Sequence, residues 1–166
     1  MESCVREGKA RAIGVSNWSI NRLKLLMEFA SIQPAVNQIE IHPFFPNAGL
    51  VSYCHQNGIL AQAYSPLGSQ VRTSCPQGLV LENTELKRIA ENSEYTPGQL
   101  LLAWGLKRGY VVLPKSFTSK RIVENLHPPS LTDEEFEAIQ KIAAMNCTRL
   151  VDVSSEYEYE NFWDDE

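Results

Sequence analysis

The sequence lacks long apolar runs and paired cysteines, and each absence excludes a class of protein. No uninterrupted apolar stretch approaches the ~20 residues needed to cross a bilayer, and the opening segment MESCVREGKA lacks the apolar core of a signal peptide. The cysteines, Cys4, Cys54, Cys75 and Cys147, form no C-x-x-C pair, so neither a zinc site nor a redox motif is indicated and we expect reduced thiols. The simplest expectation is a cytosolic protein without a membrane anchor.

A concentrated basic face is also missing. The 166 residues carry a formal charge of −5, with seven acids and no base after position 150. The first 150 residues therefore carry +2, the difference between −5 and −7. Binding to a nucleic-acid backbone usually needs clustered cations, so we expect no nucleic-acid partner. The acids define a tail over 151–166, which we separate from a domain over 1–150.

What the chain does contain is an alternation of short apolar segments and amphipathic segments. The segments ARAIGVSN (10–17), PAVNQIEIHP (34–43), GILAQAYSPLG (58–68) and YVVLPKS (110–116) predict strands. Capping residues predict the helices that follow, with Ser19, Thr96 with Gln99, and Thr132 with Glu135 at helix starts and Gly58 and Gly109 after helix ends. Residues 69–78 contain Gly, Pro and Ser and predict a loop of the kind that covers sites.

Four strand-helix units in a row predict an α/β fold with a parallel sheet and outer helices. Doubly wound sheets and (β/α)8 barrels both fit this pattern. No G-x-G-x-x-G follows any strand, and the polar residues lie at strand ends, where barrel enzymes place their sites. We therefore favour the TIM-barrel type. Because a complete barrel takes about 250 residues, four strands predict half of one.

One stretch, VVLPKSFTSKRIVENL (111–126), points to a ligand. Lys115, Lys120 and Arg121, with Ser116 and Thr118 between them, gather cations and hydroxyls where a buried strand meets a helix. Cations at a helix N-terminus oppose the helix dipole, and an anion between them would remove the conflict. The pattern indicates a phosphate site, with a solvated helix start as the alternative.

Four segments, AIGVSNW, AVNQIEIHP, AYSPLG and VLPKSFTSKRIVEN, in this order and at these separations, resemble the aldo-keto reductases. The resemblance runs from about residue 5 to 145 and corresponds to strands five to eight of that family's barrel. It implies reduction of aldehydes and ketones by hydride transfer from NADPH, which is held across the C-terminal ends of the strands.

The resemblance also implies roles for individual residues. Ser16, Asn17 and Gln38 would bind the nicotinamide carboxamide, and Tyr64 would stack on the nicotinamide ring. Ser65, Leu67 and Ser69 would contact the pyrophosphate. The adenosine 2′-phosphate would be held by Lys115, Ser116, Thr118 and Arg121. Glu124 and Asn125 would lie at the adenine. Two charged hydrogen bonds of about 1.5–3 kcal/mol each would favour NADP over NAD by roughly 10²–10⁴ in affinity.

Other residues have plainer interpretations. Lys120 reads as a solvated cation, Tyr53 as a packing residue and His42 as a residue packed at a strand end rather than a proton donor. The tail that follows residue 150 has two open interpretations, a mobile acidic end or the family's C-terminal loop, which lines the substrate pocket.

The catalytic residues that the resemblance implies, an aspartate, a tyrosine, a lysine and a histidine, belong to the family's first four strands, which this sequence does not contain. We therefore expect little activity from the chain alone and self-association through its open sheet edges. Three hypotheses remain: part of an NADPH-dependent carbonyl reductase, a non-catalytic half-barrel that binds NADP or a partner, and a structural or decayed gene product that binds no ligand.

Overall fold

The computed structural model describes residues 1–68, 78–152, 154 and 163. In chain order the helices are α1 (Glu2–Arg6), α2 (Ile20–Phe29), α3 (Ala48–Gln56), α4 (Thr84–Glu91), α5 (Pro97–Lys107), α6 (Ser119–Asn125) and α7 (Asp133–Ala144). The strands are β1 (Val15–Ser16), β2 (Val36–Glu40), β3 (Leu60–Tyr64) and β4 (Val111–Val112). A short 3-10 helix, Val80–Glu82, precedes α4.

The strands form one parallel sheet in the order β1-β2-β3-β4. In β1, Val15 lies opposite Asn37 of β2 and Ser16 lies opposite Gln38. The predicted first strand, 10–17, was too long, because the strand comprises only Val15 and Ser16, although Ile13 and Asn17 also form backbone hydrogen bonds with Ala35 and Gln38. Gly14 approaches β2 so closely that a Cβ atom there would lie 2.7 Å from the Val36 carbonyl oxygen.

The chain divides into two compact units, of which the first comprises residues 1–39, 48–62 and 152–166. Its buried side chains include Leu23 on α2 and Val51 and Cys54 on α3. The predicted cap of α2 is confirmed, because the Ser19 side chain accepts a hydrogen bond from the Arg22 amide. Helix α1 was not predicted, and Glu2 ties it to the first unit by accepting hydrogen bonds from the Ser31 and Ile32 amides.

The second unit comprises residues 40–47 and 63–151 and is built around α5. Every residue from Leu100 to Gly105 is buried, as expected for a helix that is apolar on all sides. The capping boxes predicted from Thr96 with Gln99 and from Thr132 with Glu135 are both present. A domain over 1–150 and a separate tail over 151–166 remain predictions.

Candidate functional site

In the first unit, the three residues predicted to bind a carboxamide come together where β1 and β2 pair. The Ser16 hydroxyl donates to the Gln38 carbonyl oxygen at 2.9 Å, and the Asn17 amide donates to the same oxygen at 2.9 Å. Asn17 lies in the left-handed region with φ 56°, a conformation uncommon outside glycine that is often found at functional sites. The structure therefore brings Ser16, Asn17 and Gln38 to one place.

Asn17 carries an acceptor that nothing in the described chain uses. Its Oδ1 is buried and has no hydrogen-bond partner among the described residues. Buried polar atoms are nearly always hydrogen-bonded, so this oxygen fits a ligand that brings an N–H group. Ser16 Oγ can still accept, and the Gln38 amide retains a second N–H for donation. The cluster can thus satisfy both the donors and the acceptor of a carboxamide.

Two side chains that the sequence did not single out support this cluster. The buried Asn37 side chain donates to the Trp18 carbonyl oxygen at 2.8 Å, which fixes the turn after β1. Gln62 of β3 accepts a hydrogen bond of 2.6 Å from Gln38 Nε2 and so orients that amide. Gln62 lies two residues before Tyr64, and this spacing places both on one face of β3. This alternation of side chains along the strand is the sequence signal that could have identified Gln62.

In the second unit, the end of β3 carries Tyr64, Ser65 and Leu67. Tyr64 is half-buried at the last strand position. Ser65 takes φ 48°, and its carbonyl oxygen accepts from the Gly68 amide at 2.8 Å to close a turn. A left-handed non-glycine residue at a strand end again matches a predicted ligand contact. Ser69 lies outside the described residues.

The predicted phosphate group follows β4. Lys115 and Arg121 are both exposed, and neither forms an ion pair with a described carboxylate. The Lys115 ammonium lies 3.4 Å from the centroid of the Phe117 ring. The Ser116 hydroxyl accepts from the Thr118 amide at 3.1 Å, which shapes the turn before α6. In the described chain these cations are available to an anion.

Lys120 behaves differently from these two cations. Its ammonium lies 3.8 Å from a carboxylate oxygen of Glu124, one helical turn along α6. The interpretation of Lys120 as a helix-surface cation agrees with this contact. The same contact engages Glu124, which was predicted to lie at an adenine.

A groove of about 630 Å³ lies next to β4 and α6. Three predicted site residues, Lys115, Ser116 and Asn125, line it together with apolar side chains such as Leu113 and Leu126. Thr118, Arg121 and Glu124 are not among its lining residues. An apolar groove with a few polar groups at its wall is typical of a site for a small organic ligand.

His42 is completely buried, as its interpretation as a packed strand-end residue predicted. Its Nε2 lies 2.8 Å from Glu40 Oε1, and its Nδ1 accepts from the Phe45 amide at 3.0 Å. Both ring nitrogens are therefore engaged inside the protein. This geometry leaves His42 no role as a proton donor to a substrate.

Neither a metal site nor a membrane-spanning helix is found in the part of the chain that the structure describes. No group of three or more His, Cys, Asp or Glu side chains there is placed to hold a metal ion. No helix within the described ranges has the length and apolar character needed to span a bilayer.

Comparison with protein families and curated proteins gives consistent matches. Residues 1–144 match the model of the aldo/keto reductase family. The chain is 55% identical over 166 residues to glycerol 2-dehydrogenase (NADP(+)) of Hypocrea jecorina, covering 100% of this chain and 52% of that protein. It is 42% identical to glycerol 2-dehydrogenase (NADP(+)) of Saccharomyces cerevisiae, covering 86% of this chain and 45% of the relative.

Solved structures give the same result for the fold. Aldose reductase from Giardia lamblia superposes with a TM-score of 0.84 at 38% identity, covering 99% of this chain and 53% of that one. An aldo-keto reductase of Bombyx mori complexed with NADPH gives a TM-score of 0.83 at 32% identity, covering 96% and 50%. The predicted fold class is confirmed, since these neighbours are TIM barrels and this chain corresponds to about half of each.

The chain spans about half the length of the curated relatives it matches. The family model nevertheless covers most of the chain and all four strands. From the ordered strand-end motifs, the parallel strands and these matches together, we conclude that this chain is a member of the aldo/keto reductase family.

Proposed function

We propose that this chain supplies the coenzyme-binding half of an NADPH-dependent reductase of small carbonyl compounds. The observation that carries the proposal is the pair of exposed cations Lys115 and Arg121, which lack carboxylate partners among the described residues and flank Ser116 and Thr118. Relatives named for NADP(+) and for aldehyde or glyceraldehyde reduction support it. When bound, NADPH would supply the hydride.

The residues of the second unit fit a phosphate monoester. A charged hydrogen bond to phosphate contributes about 1.5–3 kcal/mol, whereas an exposed cation-π contact contributes about 0.5–1 kcal/mol. The Lys115 ammonium would therefore exchange the Phe117 ring for the adenosine 2′-phosphate. Arg121 would add a planar, bidentate donor, and the Ser116 and Thr118 hydroxyls can donate to further oxygens. Ser65, Leu67 and Ser69 are proposed for the pyrophosphate, and Glu124 and Asn125 for the adenine.

The residues of the first unit fit a carboxamide. Asn17 Oδ1 and Ser16 Oγ would accept from the carboxamide N–H groups, and the Gln38 amide would donate to its oxygen. Gln62 would hold Gln38 in the donating orientation through their 2.6 Å hydrogen bond. In the second unit, Tyr64 would present its ring face to the nicotinamide. None of these residues is proposed to take part in proton transfer.

We assign no catalytic residue to this chain. By resemblance, the aspartate, tyrosine, lysine and histidine of the family belong to its first four strands, and the four strands described here correspond to its last four. We therefore expect NADPH binding without turnover by the chain alone, and turnover when a segment carrying the first four strands is supplied.

NADPH titration with fluorescence detection, followed by an aldehyde-reduction assay with and without that segment, tests the proposal. The expected result is saturable NADPH binding in both samples and turnover only in the completed one. Binding without turnover in either sample would favour a second candidate, a non-catalytic NADP-binding half-barrel, which the exposed cations Lys115 and Arg121 would serve equally well. No binding at any practical concentration would exclude both.

The strands at the two ends of the sheet, β1 and β4, form its edges. Unpaired strand edges promote association with other chains, so we propose self-association of the chain alone. Sedimentation of the two titration samples checks this, with a larger species expected only in the absence of the supplied segment.

A further inference from the structure

Glu40, the last residue of β2, has a completely buried side chain surrounded by donors. Its Oε1 accepts from the Leu150 amide at 2.9 Å and lies 2.8 Å from His42 Nε2. Its Oε2 accepts from the Val151 amide at 3.1 Å and lies 3.8 Å from the Arg149 guanidinium. One carboxylate therefore holds two successive backbone amides that are 110 and 111 positions away in sequence.

His42 is fixed as one of these donors. Because the Phe45 amide donates to His42 Nδ1 at 3.0 Å, that nitrogen has to be the unprotonated one. The imidazole proton is then on Nε2, where it points at Glu40. His42 therefore donates its hydrogen bond to the Glu40 carboxylate and not to a ligand.

Further contacts tie the same two segments together. The Thr148 amide donates to the Phe44 carbonyl oxygen at 2.6 Å, and the Arg149 guanidinium stacks 4.4 Å from the centroid of the Phe45 ring. Residues 148–151 are therefore docked along residues 40–45 by backbone, side-chain and ring contacts. Within this set, only Glu40 engages both Leu150 and Val151.

A buried carboxylate is a costly choice for a packing position. Removing a charge from water is unfavourable unless good geometry and several hydrogen bonds compensate for it. An apolar residue of similar volume would avoid that cost, but it would leave the Leu150 and Val151 amides without acceptors. The arrangement is explained if the location of these two residues matters more than the stability of the core.

We propose that Glu40 is the positioning residue that fixes Leu150 and Val151, the residues directly before the C-terminal segment 152–166. In the family that this chain resembles, the C-terminal loop lines the carbonyl-substrate pocket, so the inference rests on the proposed function. Glu40 would then act on substrate binding through Leu150 and Val151, with no contact to coenzyme. Glu40 carries no local signal in the sequence, because Leu150 and Val151 lie 110 and 111 positions away.

Hydrogen exchange of the full chain tests the positioning itself. In Glu40→Gln, an amide group replaces one acceptor oxygen with a donor, so the Leu150 and Val151 amides should exchange at least about tenfold faster relative to those of α5. Glu135→Gln is the matched control, because Glu135 also accepts a backbone N–H, from Thr132 at 2.9 Å. Ile139→Ala, at a completely buried position on α7, controls for general destabilisation of the second unit. An unchanged ratio in Glu40→Gln, or the same change in Ile139→Ala, overturns the proposal.

A measurement on the unmodified chain covers the case in which Glu40→Gln does not fold. NMR should detect a coupling through the hydrogen bond between the Leu150 amide nitrogen and the Glu40 carboxyl carbon, with the His42 proton on Nε2. Absence of the coupling, or a proton on Nδ1 instead, overturns the proposal.

The consequence for the substrate is tested in the completed enzyme. Glu40→Gln should raise the KM for an aldehyde and leave the Kd for NADPH unchanged, whereas an equal rise in both contradicts the proposal. If the unmodified chain gives no turnover even when completed, the proposed function fails, and the exchange ratio alone decides whether Glu40 positions Leu150 and Val151.

Discussion

Replacing Lys115 and Arg121 together with alanine should weaken NADPH binding by about 10²-fold and leave NADH binding nearly unchanged. Two charged hydrogen bonds to the 2′-phosphate contribute roughly 3–6 kcal/mol in total. Both side chains are exposed, where solvent screening weakens electrostatic contacts, so we expect the lower end of that range. Titration of each coenzyme with fluorescence detection measures the effect.

Lys120→Ala is the matched control for this prediction. Lys120 is adjacent to Arg121 and carries the same charge, but its ammonium pairs with Glu124 at 3.8 Å. Its removal should change the affinity for NADPH little. A similar loss for Lys120→Ala, or an equal loss of NADH binding in the double variant, would mean that the cations attract any dinucleotide and do not recognise the 2′-phosphate.

Replacing Trp104 with alanine should lower the free energy of unfolding by about 3–5 kcal/mol. The Trp104 side chain is 1% exposed, and its ring packs edge-on against Tyr110 at 6.3 Å between centroids. Its Nε1 donates to Gln140 at 2.7 Å, and the Arg108 guanidinium lies 4.6 Å from its ring centroid. The predicted loss is a large part of the 5–15 kcal/mol that is usual for a folded domain.

Urea denaturation followed by circular dichroism measures this loss. Leu106→Ala is the control on the same helix, because Leu106 is 48% exposed and its truncation should cost about 1 kcal/mol or less. Equal losses for the two variants would argue against α5 as the buried centre of the second unit.

The helices were predicted well because their signals are local. The caps at Ser19, Thr96 and Thr132 lie within three residues of the amides they bind, so the pattern that specifies each helix start is visible in the sequence. Helix α1 was missed because its contacts are not local. It is only five residues long, and its Glu2 side chain accepts hydrogen bonds from amides 29 and 30 positions away in sequence.

The strands and the site were predicted in part. Strand length depends on the partner strand, so the apolar segment 10–17 contributed only Val15 and Ser16 to β1. The polar residues at strand ends were identified because they interrupt apolar segments. Gln62 and Glu40 were not identified, although alternation with Tyr64 marks Gln62, because their hydrogen-bond partners lie 24, 110 and 111 positions away in sequence.

We propose above all that Lys115 and Arg121 recognise a phosphate on the 2′ position of adenosine. Calorimetric titration of the unmodified chain with adenosine 2′,5′-bisphosphate and with adenosine 5′-monophosphate isolates this recognition, because these compounds differ only in that phosphate. We predict measurable binding of the bisphosphate and binding of the monophosphate weaker by about 10²-fold. Equal affinities for the two compounds would contradict the claim.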